Sequence, residues 1–267
     1  MKTRNVLRAL PTLMRIGFAE AVAYRAEMFV WILATTMPLV MLAFWTAVAH
    51  DAPVGGYGEA RFTAYFLVTF IVRQLTGSWV SYEITYEIRE GTMAMRLLRP
   101  IDPAWSYATE NLAAVPLRVL VALPVAVIAL FAVGRTQITH DPVLWATWIV
   151  SIVGGWAITF LCSMAIGALA FQVESSLKIM DAWIAATFVF SGYLIPIDVF
   201  PSALRTVADW LPFRYQIGLP VEIAIGAHGR GEALIMLAKQ WAFVAGAFVV
   251  ARLVWRDGVR RYAAFGG

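Results

Sequence analysis

The sequence predicts an all-α polytopic membrane protein. It would have six transmembrane helices, an N-terminal interfacial helix, a short helix in the loop between the second and third spans, and an outer-leaflet helical hairpin after the fifth. Three observations predict this. Of 267 residues, 61% are hydrophobic and the mean hydropathy is +0.72, against about 45–50% apolar residues in a soluble domain. The apolar residues come in runs of about 20, the length that crosses a hydrocarbon core ~30 Å thick. Charged residues make up only 14% and gather between those runs, while eleven Trp and nine Tyr supply rings that favour the headgroup level.

Residues 1–28 come first as an amphipathic interfacial helix. Arg4, Arg8 and Arg15 share a narrow face, with Leu7, Leu10, Leu13, Met14 and Phe18 on the other side. Pro11 either kinks this helix or marks its start. No unbroken apolar stretch precedes Phe29, so the segment does not read as a cleaved signal peptide.

Residues 29–267 form the six-span domain, with spans at 29–49, 62–82, 111–133, 143–172, 178–195 and 233–254. The fourth is long enough to tilt. Segments 1–28, 83–110, 173–177 and 252–267 hold five, three, no and four basic residues. The opposite loops, 50–61, 134–142 and 196–232, hold only Arg61, Arg135, Arg205, Arg214 and Arg230. The excess of Lys and Arg puts both termini in the cytoplasm. It also accounts for the net charge of +4 without a nucleic-acid partner.

The loop 83–110 is the most charged part of the chain's middle. Its opening, "SYEITYEIRE", extends the second span as a polar helix with Glu83 and Glu87 on one face, solvated or turned to an outside partner. Gly91 ends that helix, Thr92 caps a short one, "MAMRLLR", and Pro100 stops it. The tip offers Met93, Leu97 and Leu98 between Arg96 and Arg99. Such a face suits a soluble partner; the alternative is an ordinary helix resting in the interface.

Charge inside spans is costly and marks a candidate for function. Arg73, near the middle of the second span, reads equally as a structural ion pair or carbonyl partner and as the lining of a wet pathway. Arg118 and Lys239 lie near span ends, where snorkelling explains them. In the fourth span Ser151 with Gly155, and Ser163 with Gly167, have the spacing of close helix approach, within one protomer or across a dimer.

The segment 196–232 carries prolines at 196, 201, 212 and 220, too many for a spanning helix. Leu204, Val207, Trp210 and Leu211 recur at helical spacing, as do Tyr215, Leu219 and Glu222. They predict two short amphipathic helices on, or dipping into, the outer leaflet as a compact lid.

Chemistry is missing from the pattern. There is no G-x-x-x-x-G-K-[ST], no strand-borne G-x-G-x-x-G, no H-E-x-x-H and no G-x-S-x-G. The acids cluster at span ends and in loops, so no catalytic site is read. The lone Cys162 excludes an intrachain disulfide. His50, His140 and His228 are isolated in loops and read as solvated residues, which leaves no metal site.

Two segments carry a family resemblance. "REGTMAMRLLRPIDPAW" resembles the cytoplasmic loop of the ABC type-2 permeases, in its R-E-G-T and L-L-R-P. "SGYLIPIDVFPSALRTVADWLPFRYQIGLPVEIAIG" is similar to their segment after the fifth span, in its F-P and L-P-F. The resemblance implies the permease subunit of an exporter in the bacterial cytoplasmic (inner) membrane. It would act beside a second permease protomer, identical or paralogous, moving an amphipathic substrate (drug, lipid, peptide or glycan) outward by alternating access.

In that family the ATPase subunits are separate chains and bind the ATP and Mg, so this chain would be no enzyme and hold no cofactor. The family's coupling helix falls on Glu87, Arg89, Glu90, Gly91, Thr92, Met93, Arg96, Leu97, Leu98 and Arg99. Its outer lid falls on Pro196, Phe200, Pro201, Trp210, Pro212 and Phe213. Its second and fifth spans usually line the path, and Arg73 departs from a purely greasy lining. Two other readings remain. A stand-alone secondary transporter or channel would share the apolar content, but the sequence shows no paired interrupted helices in corresponding halves. A membrane scaffold would use the loop only to recruit a cytoplasmic protein.

Overall fold

Proline, glycine and short polar side chains punctuate the chain into helices. The computed structural model describes residues 3–23, 35–120, 122–124, 137–173 and 175–262. Parts of the first and third predicted spans, at 29–34 and 125–133, lie outside the described residues.

The named helices are α1 (Thr3–Ala23), α2 (Met37–Val48), α3 (Glu59–Thr76), α4 (Val80–Arg89), α5 (Met93–Leu97) and α6 (Pro103–Ala113). They continue with α7 (Pro142–Ala168), α8 (Ser176–Phe190), α9 (Ser202–Asp209), α10 (Gly218–Ala224) and α11 (Arg230–Arg261). Two begin by the same device. Asp102 and Asp141 are N-caps that accept from the backbone N–H of Ala104 (3.0 Å) and Val143 (2.9 Å), each with a proline at the first helical position. Gly91 ends α4 with φ +73°, conformational space that side chains resist.

With its 3-10 extension to Phe171, α7 is apolar enough and long enough to cross a membrane, as is α11. The 32 residues of α11 reach roughly 48 Å at 1.5 Å per residue, well past the predicted 233–254. Around α7 pack α11, α4, α10, α3 and α8. Its small residues make this possible. A Cβ on Gly155 would lie 2.6 Å from the Gln216 carbonyl oxygen, and one on Gly167 2.9 Å from the Ser81 Cα. Ser151 and Ser163 are fully buried. The small-residue pairs therefore serve packing within the chain.

Four expectations need correction. The second span is not one helix: it breaks at 77–79 between α3 and α4, where Gly77 turns extended (φ −66°, ψ 141°). The third is also broken, at Ala114, with a further helical piece at 115–120. Pro116 has no N–H to give the preceding turn. The fifth stops at Phe190 rather than 195, because Gly192 has φ +83° and turns the backbone toward Tyr65, whose hydroxyl donates to the Gly192 carbonyl at 2.7 Å.

The fourth correction concerns the segment after the fifth span, whose two helices are unalike. In α9, Leu204 and Val207 are exposed, and Trp210 just beyond it is 80% exposed. All seven residues of α10 are buried, against α7, α3 and α11. The second helix is thus core rather than surface. On α1, which continues through Pro11, Ile16 and Phe18 are exposed and Gly17 makes the contact: a Cβ there would lie 3.0 Å from the Ala113 Cβ.

Candidate functional site

A hinged elbow is built from α4, α5 and α6. Gly91 folds α5 back beside α4, and Arg96 on α5 then points inward. Its Nε donates to both Glu87 oxygens at 2.9 Å, and its Nη1 donates to both Glu110 oxygens at 3.0 Å. The guanidinium lies 4.1 Å from the centre of the Tyr107 ring, whose hydroxyl donates to Glu87 at 2.6 Å. One cation thus ties three helices together. Burial pushes the Glu110 carboxyl up even with Arg96 beside it, and burial pushes the Tyr107 hydroxyl up further. Burial alone would lower Arg96, but Glu87, Tyr107 and Glu110 together outweigh it and hold it charged.

The predicted site residues divide between the two sides of this elbow. Glu87 and Arg96 face inward, which corrects the outward position expected of Glu87 and the basic flank expected of Arg96, while Glu83 stays exposed. Met93 is fully buried with Ile84, Tyr107 and Trp255. It cannot offer itself at the tip, because the fold-back at Gly91 turns the start of α5 into the core. Leu97 is half-buried, while Glu90, Thr92, Leu98 and Arg99 are exposed, as is Arg89. Thr92 does not cap α5; its hydroxyl donates instead to the Glu87 carbonyl at 3.4 Å. The side chains that do stand out are Leu98 (80% exposed), Met95 (68%) and Tyr86. Tyr107 and Glu110 escaped the sequence reading, since nothing local to them shows that Arg96 folds back between them.

Beside the elbow lies a cleft of about 380 Å³, bounded by Arg73 and Gln74 of α3, Trp79 and Glu83 at the break, Glu20 of α1, and Arg118. The Arg118 Nη1 donates to the Gly77 carbonyl at 2.9 Å, so this side chain braces the break rather than snorkelling. Glu83 reaches the open cleft but has protein on nearly every side; burial, then Glu110, pushes its carboxyl up to about 7.

At the other end of the molecule the segment 191–232 holds a second charge cluster. The Arg214 Nη2 donates to Glu222 at 2.8 Å and its Nη1 reaches Asp209. The His228 ring bonds Glu222 at 2.9 Å and lies 3.1 Å from Glu232. Glu222 is 1% exposed and His228 9%, which corrects the expectation of a solvated histidine: the turn after α10 carries it under the start of α11. Of the predicted lid, Pro196 and Phe213 are buried, Phe200 and Pro212 half-buried, and Pro201 and Trp210 exposed. The Phe213 ring packs on Trp183 at 4.6 Å. Among the described residues no group of His, Cys, Asp and Glu could hold a metal ion.

Among the described residues, two helices long and apolar enough to cross a membrane, in an all-helical fold packed through glycine, are those of a helical membrane protein. The chain belongs to the ABC-2 family transporter proteins, whose family model matches residues 28–266. It is accordingly an ABC transporter permease subunit, a transmembrane component whose family works with ABC ATPase partners and is generally not itself catalytic. No curated protein matches the chain.

Proposed function

We propose that this permease subunit is one half of an exporter's membrane domain, moving an amphipathic substrate outward by alternating access. It would do so as a multi-pass protein of a bacterial inner membrane, with both termini in the cytoplasm. The excess of Lys and Arg in 1–28, 83–110 and 252–267 supports that orientation. Separate ATPase subunits, binding ATP and Mg, drive it from the elbow side. A second permease protomer, identical or paralogous, completes the path, and the hairpin 196–232 closes its far end.

The observation that carries this reading is the elbow's construction. Its interior is locked by Arg96, so a push on the tip moves α4 and α6 as one body. Its exterior presents Met95 and Leu98 to whatever docks there. Docking therefore rests on Met95, Leu98 and their charged neighbours Arg89, Glu90 and Arg99, while Glu87, Arg96 and Met93 transmit the motion. Replacing Met95 and Leu98 together by Ser tests this in the purified permease–ATPase complex. The chain's own thermal stability should stay within about 0.5 kcal/mol of the parent, as for exposed positions. ATPase association should weaken at least tenfold. Unchanged association and unchanged transport-coupled ATPase activity would sink the docking assignment.

A further inference from the structure

Arg73 and Arg118 come from different helical segments yet converge on one point. A Cβ built on Gly77 would lie 3.0 Å from the Arg73 Nη1 and 3.8 Å from the Arg118 Nη1, so the two nitrogens are under about 7 Å apart. Among the described residues neither guanidinium has a carboxylate oxygen within 4.0 Å. Their close partners are neutral: the Gly77 carbonyl for Arg118 and Tyr193 for Arg73. Like charges this close repel, and an anion between them relieves the repulsion through charge-assisted hydrogen bonds. By contrast, Arg96 and Arg214 are each met by two carboxylates.

Both arginines line the 380 Å³ cleft, so an anion could reach them. Of the four acids lining it, Glu87 and Glu110 are already engaged by Arg96, while Glu20 and Glu83 are exposed to solvent. Neither Glu20 nor Glu83 comes within 4.0 Å of the Arg73 or Arg118 guanidinium, so neither pairs with them directly. The surroundings also favour an apolar tail. Trp79, Tyr86, Ala21 and Ala114 line the same 380 Å³ cleft beside the two arginines and give it apolar surface.

We propose that the break in the second span is a binding site for an amphiphile with an anionic headgroup, a phosphate or carboxylate, gripped between Arg73 and Arg118. This deepens the export reading and rests on it for the direction in which the ligand moves; binding itself does not depend on that reading.

The test is isothermal titration of the full-length chain in a neutral detergent. The probes are dodecyl phosphate, dodecylphosphocholine and inorganic phosphate. Dodecyl phosphate should saturate at one per chain. Dodecylphosphocholine, with the same tail and no net charge, should not saturate, and inorganic phosphate should bind at least tenfold more weakly. Arg73→Gln and Arg118→Gln should each weaken dodecyl phosphate at least tenfold, while Arg73→Lys and Arg118→Lys, which keep the charge, should lose less. If the Gln variants do not elute like the parent, Gly77→Val, which drives a side chain between the two guanidinium groups, replaces them and should give the same loss.

Equal binding of the two dodecyl probes, or unaltered affinity in the variants, overturns the site. Inorganic phosphate binding as tightly as dodecyl phosphate overturns the amphiphile in favour of a free anion. Lost binding in a chain whose Met95 and Leu98 still govern the ATPase would remove the site and leave the export reading; the reverse pattern would remove the export reading and leave the site.

Discussion

The elbow and the hairpin hold the same kind of object in opposite settings. Each centres on an arginine gripped by two carboxylates. In the elbow, Arg96, Glu87 and Glu110 keep 14%, 17% and 28% of their side-chain surface exposed. In the hairpin, Arg214, Glu222 and His228 keep 5%, 1% and 8%. Burial removes the water that would otherwise share the charge, so the hairpin cluster stands or falls as a unit. Contact with water lowers the cost of breaking the elbow cluster, but while intact it ties α4, α5 and α6 into one body. The difference teaches how burial sets what each cluster costs to break. The hairpin is a plug buried under the start of α11, and the elbow is a stiff lever near the surface.

The comparison breaks most sharply at Glu222. Glu222→Gln leaves Arg214 and His228 buried without their shared carboxylate and should cost ~3–5 kcal/mol, read as a lower unfolding temperature of the purified chain. A loss below 1 kcal/mol on the order expected for surface pairs would show that the hairpin is not the costlier cluster to break. Next comes Arg96→Ala. Its two carboxylates can turn to water, so the cost should be about 1.5–3 kcal/mol, in line with hydrogen bonds to charged groups. Arg96→Lys should recover only part of it, since an ammonium cannot form the fork that spans Glu87 and Glu110. Coupled ATPase activity should fall further than stability does, because the elbow's stiffness is what transmits motion.

The smallest effect is the pH dependence of the hairpin. Burial alone would lower His228, but Glu222 and Glu232 outweigh it and raise its pKa above the usual 6.5. The stabilisation from this charged histidine is complete below about 6.5 and is lost as pH rises through the raised value. Burial alone would raise Glu222, but Arg214 and His228 hold it below 4.5. Its contribution is present above about 4.5 and is lost as pH falls through the lowered value. Stability of the chain should therefore decline on both sides of a mildly acidic window. His228→Gln should flatten the alkaline limb and make the acid one shallower, since Glu222 then keeps only Arg214; an unchanged alkaline limb would mean that another group titrates there.

What could be read in advance depended on the range of the interaction. Gly91 as a helix end and α7 as a long apolar helix were legible because each is set by one residue's conformational freedom or by a local run. The second and third apolar segments were each read as one helix, and the breaks at Gly77 and Ala114 were not foreseen. A glycine inside an apolar run is locally ambiguous, and only Arg118, 41 residues away, braces the open turn. The tip of the elbow was found while its orientation was reversed for Met93 and Arg96. A five-residue helix has no periodicity long enough to fix a face, so the choice fell to Tyr107, Glu110 and Trp255.

The sequence by itself determined that this is a helical membrane protein, that charge would be confined to short segments, and that the chain carries no nucleotide-binding motif. Composition, apolar run length and motif spacing are properties of the chain alone. Only the tertiary structure decided which charges face one another. It turned Arg96 inward, buried His228 and α10, and brought Arg73 beside Arg118. Those outcomes depend on contacts between residues far apart in sequence, where the cost of burying a charge is settled by whichever partner the packing supplies.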